Sequence, residues 1–419
     1  VALCVMFPLE APAQEAVVDT SATTPLTIDA ALQLARTANA KLPIVAFDSA
    51  IAQAQVREAR ASRLPRLSLE SAANFGGPIA YTTSQGLLQV VASDTLYSGG
   101  LRRANLRGVG FRVRAAGAGY RVAQKDIELA VRLRFAEFLM AEEEIGIRER
   151  GIERLRSYLA QIEARRAAGQ PVGSDVLTTE VRLGTEEATL ADARRALDEA
   201  RLELNDLMGR DPKSTLELVP LPLPAQPVPP DSTPWLLTPE LRQAAANRAF
   251  VETGLAGTRS ERRPQLSVSA GLGVIPTFSS SNPGTGPFSG SGFGGAVLFS
   301  LSWPFLDAGV FRSRLARADL MVQQAKGSET LALRQSRLSW ELADAQRTRA
   351  YQQVQLWASN VPRARDAYLQ TASMYNGGAA TALEVLDAYT AWVNASISYA
   401  DAVLRYRQAE ATTLRWGTK

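Results

Sequence analysis

Histidine is absent from the 419 residues, and the single cysteine, Cys4, lies near the N-terminus. The first absence removes the commonest general base and the commonest metal ligand together. The second leaves no thiol nucleophile in the body of the chain and no disulfide within it. No uninterrupted apolar run reaches about 18 residues, so no transmembrane helix is present and any membrane passage must use strands. No P-loop occurs. The glycine-rich stretch 271–295 sits in a strand–loop–strand pattern rather than before a phosphate-binding helix. Net charge is only +4 with both signs interspersed, and no basic tract carries interleaved aromatics, so no nucleic-acid partner is expected. The chain reads as a non-enzyme with no cofactor and no bound metal.

What is present is a duplication. Ser62-Arg-Leu-Pro-Arg-Leu-Ser-Leu-Glu recurs as Ser260-Glu-Arg-Arg-Pro-Gln-Leu-Ser-Val, with Pro65 falling on Pro264, 199 positions later. Leu96-Tyr-Ser-Gly-Gly recurs from Phe305, and Asp175-Val-Leu recurs as Glu384-Val-Leu, both at an offset of 209. A long-period repeat means two copies of one unit packed together. The first unit is expected over 26–218 and the second over 239–419, joined by a connector over 219–238 whose seven prolines between Val219 and Pro234 forbid helix and inner strand. Residues 1–13 read as the tail of a secretory signal peptide cleaved after Ala11-Pro12-Ala13, with 14–25 an N-terminal extension. Leu3 before Cys4 argues against lipidation.

Each unit mixes two periods. A helix over 26–63, interrupted early by Pro43, is followed from Arg66 by period-two alternation, and strands are expected over 66–75, 87–97, 265–274 and 292–303. Helical pattern then runs from about Gly100 to Ala168, roughly 105 Å at 1.5 Å per residue, too long for a compact domain. It breaks at Gly169-Gln-Pro-Val-Gly-Ser-Asp and returns with Val176, Leu183, Leu190, Leu197 and Leu204 seven apart, a coiled-coil seam. The second unit repeats this with helices over 239–262 and 308–375, a kink expected at Pro362, and a last helix after Asn376-Gly-Gly-Ala-Ala-Thr. That helix carries Val385, Trp392, Tyr399 and Tyr406, read as inter-helix packing ahead of an aromatic ligand box.

The strands set Leu67, Leu69, Phe75, Leu266, Val268, Leu272, Phe293, Val297, Phe299, Leu301 and Trp303 on one face and polar or small residues on the other. A soluble sandwich would bury the apolar face; a membrane barrel would turn it to lipid. Four strands cannot close a barrel, and open edges are not tolerated in lipid, so a barrel demands several chains. Two would supply eight strands and three would supply twelve.

Leu96-Tyr-Ser-Gly-Gly, Gly169-Gln-Pro-Val-Gly-Ser-Asp-Val-Leu, Leu207-Met-Gly-Arg-Asp-Pro and Tyr375-Asn-Gly-Gly-Ala-Ala-Thr-Ala-Leu-Glu-Val-Leu-Asp resemble, in matching order, the signatures of TolC-like outer-membrane efflux proteins. The resemblance covers about 26–417. It implies a mostly α fold with a membrane β-barrel part: a homotrimer forming a 12-stranded barrel in the outer-membrane lipid of a Gram-negative bacterium, above a periplasmic coiled-coil tunnel. It also implies a periplasmic adaptor and an inner-membrane pump as partners, and a passive duct for small toxic molecules. Protein export through a type I secretion system uses the same fold. Outside the family, the competing reading is a soluble periplasmic scaffold.

The helix turns at 169–174 and 376–381 would form the tip farthest from the barrel. Glu384 and Asp387 lie one turn apart at the start of the last helix, where acids stabilise a helix dipole. The resemblance gives them a second reading, as rings of three carboxylates constricting a pore and favouring cations. It also implies a closing contact between Tyr375 and Asp175, with the family's arginine replaced by Ala380. Adaptor docking is implied at Gly169, Gly173, Ser174, Val176, Leu177, Gly378, Thr381 and Leu386, although glycines there also serve as helix terminators.

Overall fold

The computed structural model describes residues 25–76, 83–169, 173–228, 233–279 and 291–416. The expected signal segment, and the extension up to residue 24, lie outside them. Helices α1 (Ile28–Ala38) and α2 (Lys41–Ala61) lead into strands β1 (Arg66–Gly76) and β2 (Thr83–Tyr97), then into α3 (Leu101–Ala167) and α4 (Gly173–Leu207). The second unit runs α5 (Pro239–Ser260), β3 (Gln265–Ser279), β4 (Ser291–Ser302), α6 (Val310–Asn376) and α7 (Ala382–Trp416). A short 3-10 turn, Pro234–Leu237, precedes α5.

The single helix expected over 26–63 is two. Thr27 caps α1 by accepting from the Ala30 amide, and the chain turns at Asn39, whose side chain donates to the Leu207 carbonyl at 2.9 Å and accepts from the Lys41 amide. Pro43 falls in the first turn of α2, where its missing N–H has no helical partner to lose. In α6, by contrast, Pro362 lies inside a helix that continues on both sides of it.

Helices α3 and α6 each contain 67 residues, so each is about 100 Å long. The helices stand side by side as one wall. Helix α3 packs against α2 and α4 on one side and α5 and α7 on the other, and α5 and α7 in turn pack against α6. All five heptad residues of α4 are buried or half-buried, with Leu204 fully enclosed. Midway along, α1 closes a core of Leu32, Val131, Phe135, Leu204 and Met208. The proline-rich connector crosses the second unit as a strap. Its carbonyls accept from side chains: Tyr406 donates to Ala225 at 2.8 Å, and Arg407 to Pro222. Tyr406 is buried and Tyr399 packs against the same cluster, in agreement with a packing role for that stripe.

The four strands form one antiparallel sheet in the order β1-β2-β3-β4. Strands β2 and β3 extend further than the alternation suggested, because Thr83–Gln85 pair with Thr277–Ser279. Register puts Leu67 opposite Ala92, Val90 opposite Leu272, Val268 opposite Phe299, and Leu266 opposite Leu301, so the apolar residues of all four strands share one face. Phe293 is 78% exposed and Leu301 70% exposed on that face. Trp303 lies one residue past β4, and the Phe75 side chain lies outside the described residues. Strand β2 alternates poorly because apolar Val90 and Val91 are adjacent and take opposite faces, Val90 exposed and Val91 buried; the ladder shifts only later, between Thr95 and Tyr97.

Candidate gate at the helical tip

Both long helices end alike. The Gly169 amide donates to the Arg166 carbonyl at 3.0 Å, and Gly169 has φ +81°. At the end of α6, Gly378 (φ +76°) donates to the Tyr375 carbonyl at 3.1 Å and Ala379 to the Met374 carbonyl at 2.8 Å. This paired bonding satisfies the orphan carbonyls, and its left-handed position is the one glycine occupies without strain. Residues 170–172 lie outside the described residues.

Helix α7 then opens with a reciprocal cap. The Thr381 amide donates to Glu384 Oε2 at 2.7 Å, and the Glu384 amide donates to Thr381 Oγ1 at 3.3 Å. The backbone bond first, and the hydroxyl bond of Thr381 second, hold the Glu384 carboxyl below its ordinary value. This capping box was legible in the sequence as Thr381-Ala-Leu-Glu384 and went unused there. Glu384 is therefore a cap and also an exposed, strongly ionised carboxylate. Asp387, one turn on, is exposed as well.

Beneath the turns, α3, α4, α6 and α7 close a core of Leu155, Ile162, Val176, Tyr375, Val385, Leu386 and Tyr389. Ile162 is 0% exposed and Val385 1% exposed. Gly151 lets α3 meet α7, since a Cβ there would lie 2.5 Å from the Tyr389 hydroxyl. Trp392 stacks on Tyr368 at 5.4 Å, with the Arg154 guanidinium 4.2 Å from the Trp392 centroid.

Four contacts tie the two helical hairpins together. The Tyr375 hydroxyl donates to Asp175 Oδ2 at 3.5 Å. Arg165, at the end of α3, lies 4.6 Å from the centre of the Tyr375 ring and donates to Asn376 Oδ1 at 2.9 Å. Arg182 on α4 donates to the Thr390 hydroxyl on α7. Arg165 was missed in the sequence because its partners lie more than 200 positions away. Tyr158 packs on Tyr375 at 5.5 Å; burial first, and Tyr375 second, push its hydroxyl pKa upward.

Of the docking positions, Gly169, Ser174, Leu177, Gly378 and Thr381 are exposed, Leu177 at 64%. Gly173 begins α4. Val176 and Leu386 are buried in the tip core, so they brace this surface from within. Among the described residues, no group of three His, Cys, Asp or Glu is placed to hold a metal.

The sequence profile of the outer membrane efflux protein family matches residues 31–210 and again 236–415, one match per unit. No curated protein sequence matches the chain. Among solved structures, the outer-membrane channel OprN superposes with a TM-score of 0.82 at 20% identity, over 93% of this chain and 89% of that one. The outer membrane protein VceC of Vibrio cholerae gives 0.79 at 17% identity, covering 93% of this chain and 95% of that one. The open state of the MtrE outer membrane channel of Neisseria gonorrhoeae gives 0.77 at 20% identity, covering 93% and 88%. Two family matches, one over each half of a duplicated helix–hairpin–helix plan, establish that the chain belongs to the outer membrane efflux protein family, as a channel component and not an enzyme.

Proposed function

We propose that three copies of this chain close into a 12-stranded barrel in the outer membrane of a Gram-negative bacterium, continuous with a periplasmic helical tunnel. The duct is passive. An inner-membrane pump delivers small toxic molecules to it through a periplasmic adaptor, which docks at the tip around Leu177, Gly378 and Thr381.

One observation carries this reading: in a single chain, both the sheet and the helical wall stop at open edges. Among the described residues, strands β1 and β4 each lack one neighbour. Helix α6 packs mainly against α5 and α7, yet exposes Leu331, Leu338, Leu342 and Leu356. Helix α2 exposes Ile44, Phe47 and Ile51, and α4 exposes Val181. Apolar residues exposed along an open wall are what adjoining copies would cover, and a sheet apolar on its outer face requires closure in lipid.

At the tip, threefold symmetry turns Glu384 and Asp387 into two successive rings of carboxylates. Rings of carboxylates draw cations and repel anions. Conductance across a planar bilayer tests the reading. Wild-type protein should form pores that prefer cations, and the Glu384→Ala/Asp387→Ala variant should lose most of that preference. Unchanged ion selectivity in the variant would remove the rings from the account, and failure of the wild type to conduct would remove the duct.

A further inference from the structure

One cleft outside the tip has a chemistry the duct does not use. It lies where the sheet meets the helices, has a volume of about 510 Å³, and is lined by Arg63, Arg102, Arg103, Arg263, Asp94 and Tyr97. The charges are not balanced within the chain. Asp94 is held by Arg102 at 2.9 Å, and nearby Glu261 by Arg314 at 3.2 Å. Arg263 donates to the Gly99 carbonyl at 3.0 Å, a bond that fixes its direction without neutralising it. Arg63 and Arg103 are exposed and have no acidic partner among the described residues.

The cleft's position is set by the register. Tyr97 pairs with Leu266 and Asp94 with Val268, so both belong to the apolar face. That face ends here: β1 begins at Arg66, opposite Ser93, and the helices follow. Just beyond the end of β4, Trp303 and Phe305 pack together at 6.3 Å. Tyrosine and tryptophan at the rim of an apolar band mark the depth of lipid headgroups, and arginines just beyond it meet the phosphates.

We infer that this cleft binds the headgroup of an anionic phospholipid in the periplasm-facing leaflet, Arg63 and Arg103 supplying the free charge and Tyr97 packing on the upper acyl chain. The inference rests on the membrane reading proposed above. An anionic headgroup suits the site by charge, and an acyl chain suits the adjoining face by polarity. A zwitterionic lipid satisfies only the second condition and free phosphate only the first.

The test is native mass spectrometry of the full-length protein in detergent, titrated with phosphatidylglycerol, phosphatidylcholine or inorganic phosphate. Phosphatidylglycerol should be retained in preference to phosphatidylcholine, and excess phosphate should not displace it. Arg63→Gln/Arg103→Gln should weaken that retention roughly tenfold or more. If the double variant does not fold, Arg103→Gln alone should weaken it roughly threefold or more. Arg195→Gln, on the α4 surface beside Glu199, should leave it unchanged. Equal retention of both lipids, displacement by phosphate, or an equal loss in the Arg195 variant would overturn the inference. Fractionation of the wild type separates the two failures. Absence from the outer membrane defeats the membrane reading, while outer-membrane protein with no lipid preference defeats the cleft alone.

Discussion

The sheet and the tip are built from the same residue types and treat them in opposite ways. At the tip, Ile162, Val385 and Tyr389 are enclosed by four helices of one chain. In the sheet, Phe293, Phe299 and Leu301 stand in the open, while polar and small residues take the other face. The tip closes a core of its own within one protomer, although Leu177 and Leu383 stay exposed around it. The sheet needs a solvent other than water and neighbours for both edges. The contrast teaches that stability is local at one end of the wall and depends on lipid and assembly at the other.

The largest expected effect comes from emptying the tip core. Ile162→Ala should cost about 2–5 kcal/mol through lost transfer energy and an unfilled cavity. Leu301→Ala should cost only the transfer part, about 1–2 kcal/mol, since detergent or lipid fills the space left. Thermal unfolding in detergent compares them, and equal costs would break the contrast. Next, Val297→Arg places a charge on the apolar face and should cost about 2–4 kcal/mol if that residue lies near the bilayer midplane. Its readout is the fraction recovered folded in the outer membrane, and full recovery would argue that this face meets water.

Smaller effects refine the tip. Thr381→Ala removes the hydroxyl half of the reciprocal cap and should destabilise the start of α7 by about 1 kcal/mol, seen as faster amide exchange in its first turn. The Glu384 carboxyl is held low by Thr381, so the cap is intact above the usual glutamate pKa of about 4.3 and is lost as pH falls through the lower folded value. Protection at the start of α7, taken relative to the intrinsic exchange rate at each pH, should therefore fall with acidification in that range. Glu384→Gln should flatten the response, and an unaltered pH profile in that variant would place the titration elsewhere.

The sequence carried the architecture well because its signals were long. The heptads of α4 and the alternation of β4 each repeat over several turns or pairs, and the duplication reported them twice. The proline-rich connector was equally plain. Single-site events were harder to read. Adjacent apolar Val90 and Val91 blurred the alternation of β2, one on each face, and the turn at Asn39 depends on a carbonyl offered by Leu207. At the tip, Tyr375 and Asp175 were found and are brought together, whereas Arg165 gained its meaning only when the helix ends met. Val176 was legible as a heptad residue as well as a docking position, and the structure buries it; Leu386, expected at the docking surface, is buried beside it in the tip core.

The central claim is that this open wall and open sheet are one third of a closed duct. The most direct test is the native protein mass after detergent extraction from isolated outer membranes. The account predicts about three times the 45.1 kDa of the chain, with little monomer. A monomer, or protein released into buffer without detergent, would contradict it and return the chain to the soluble periplasmic scaffold.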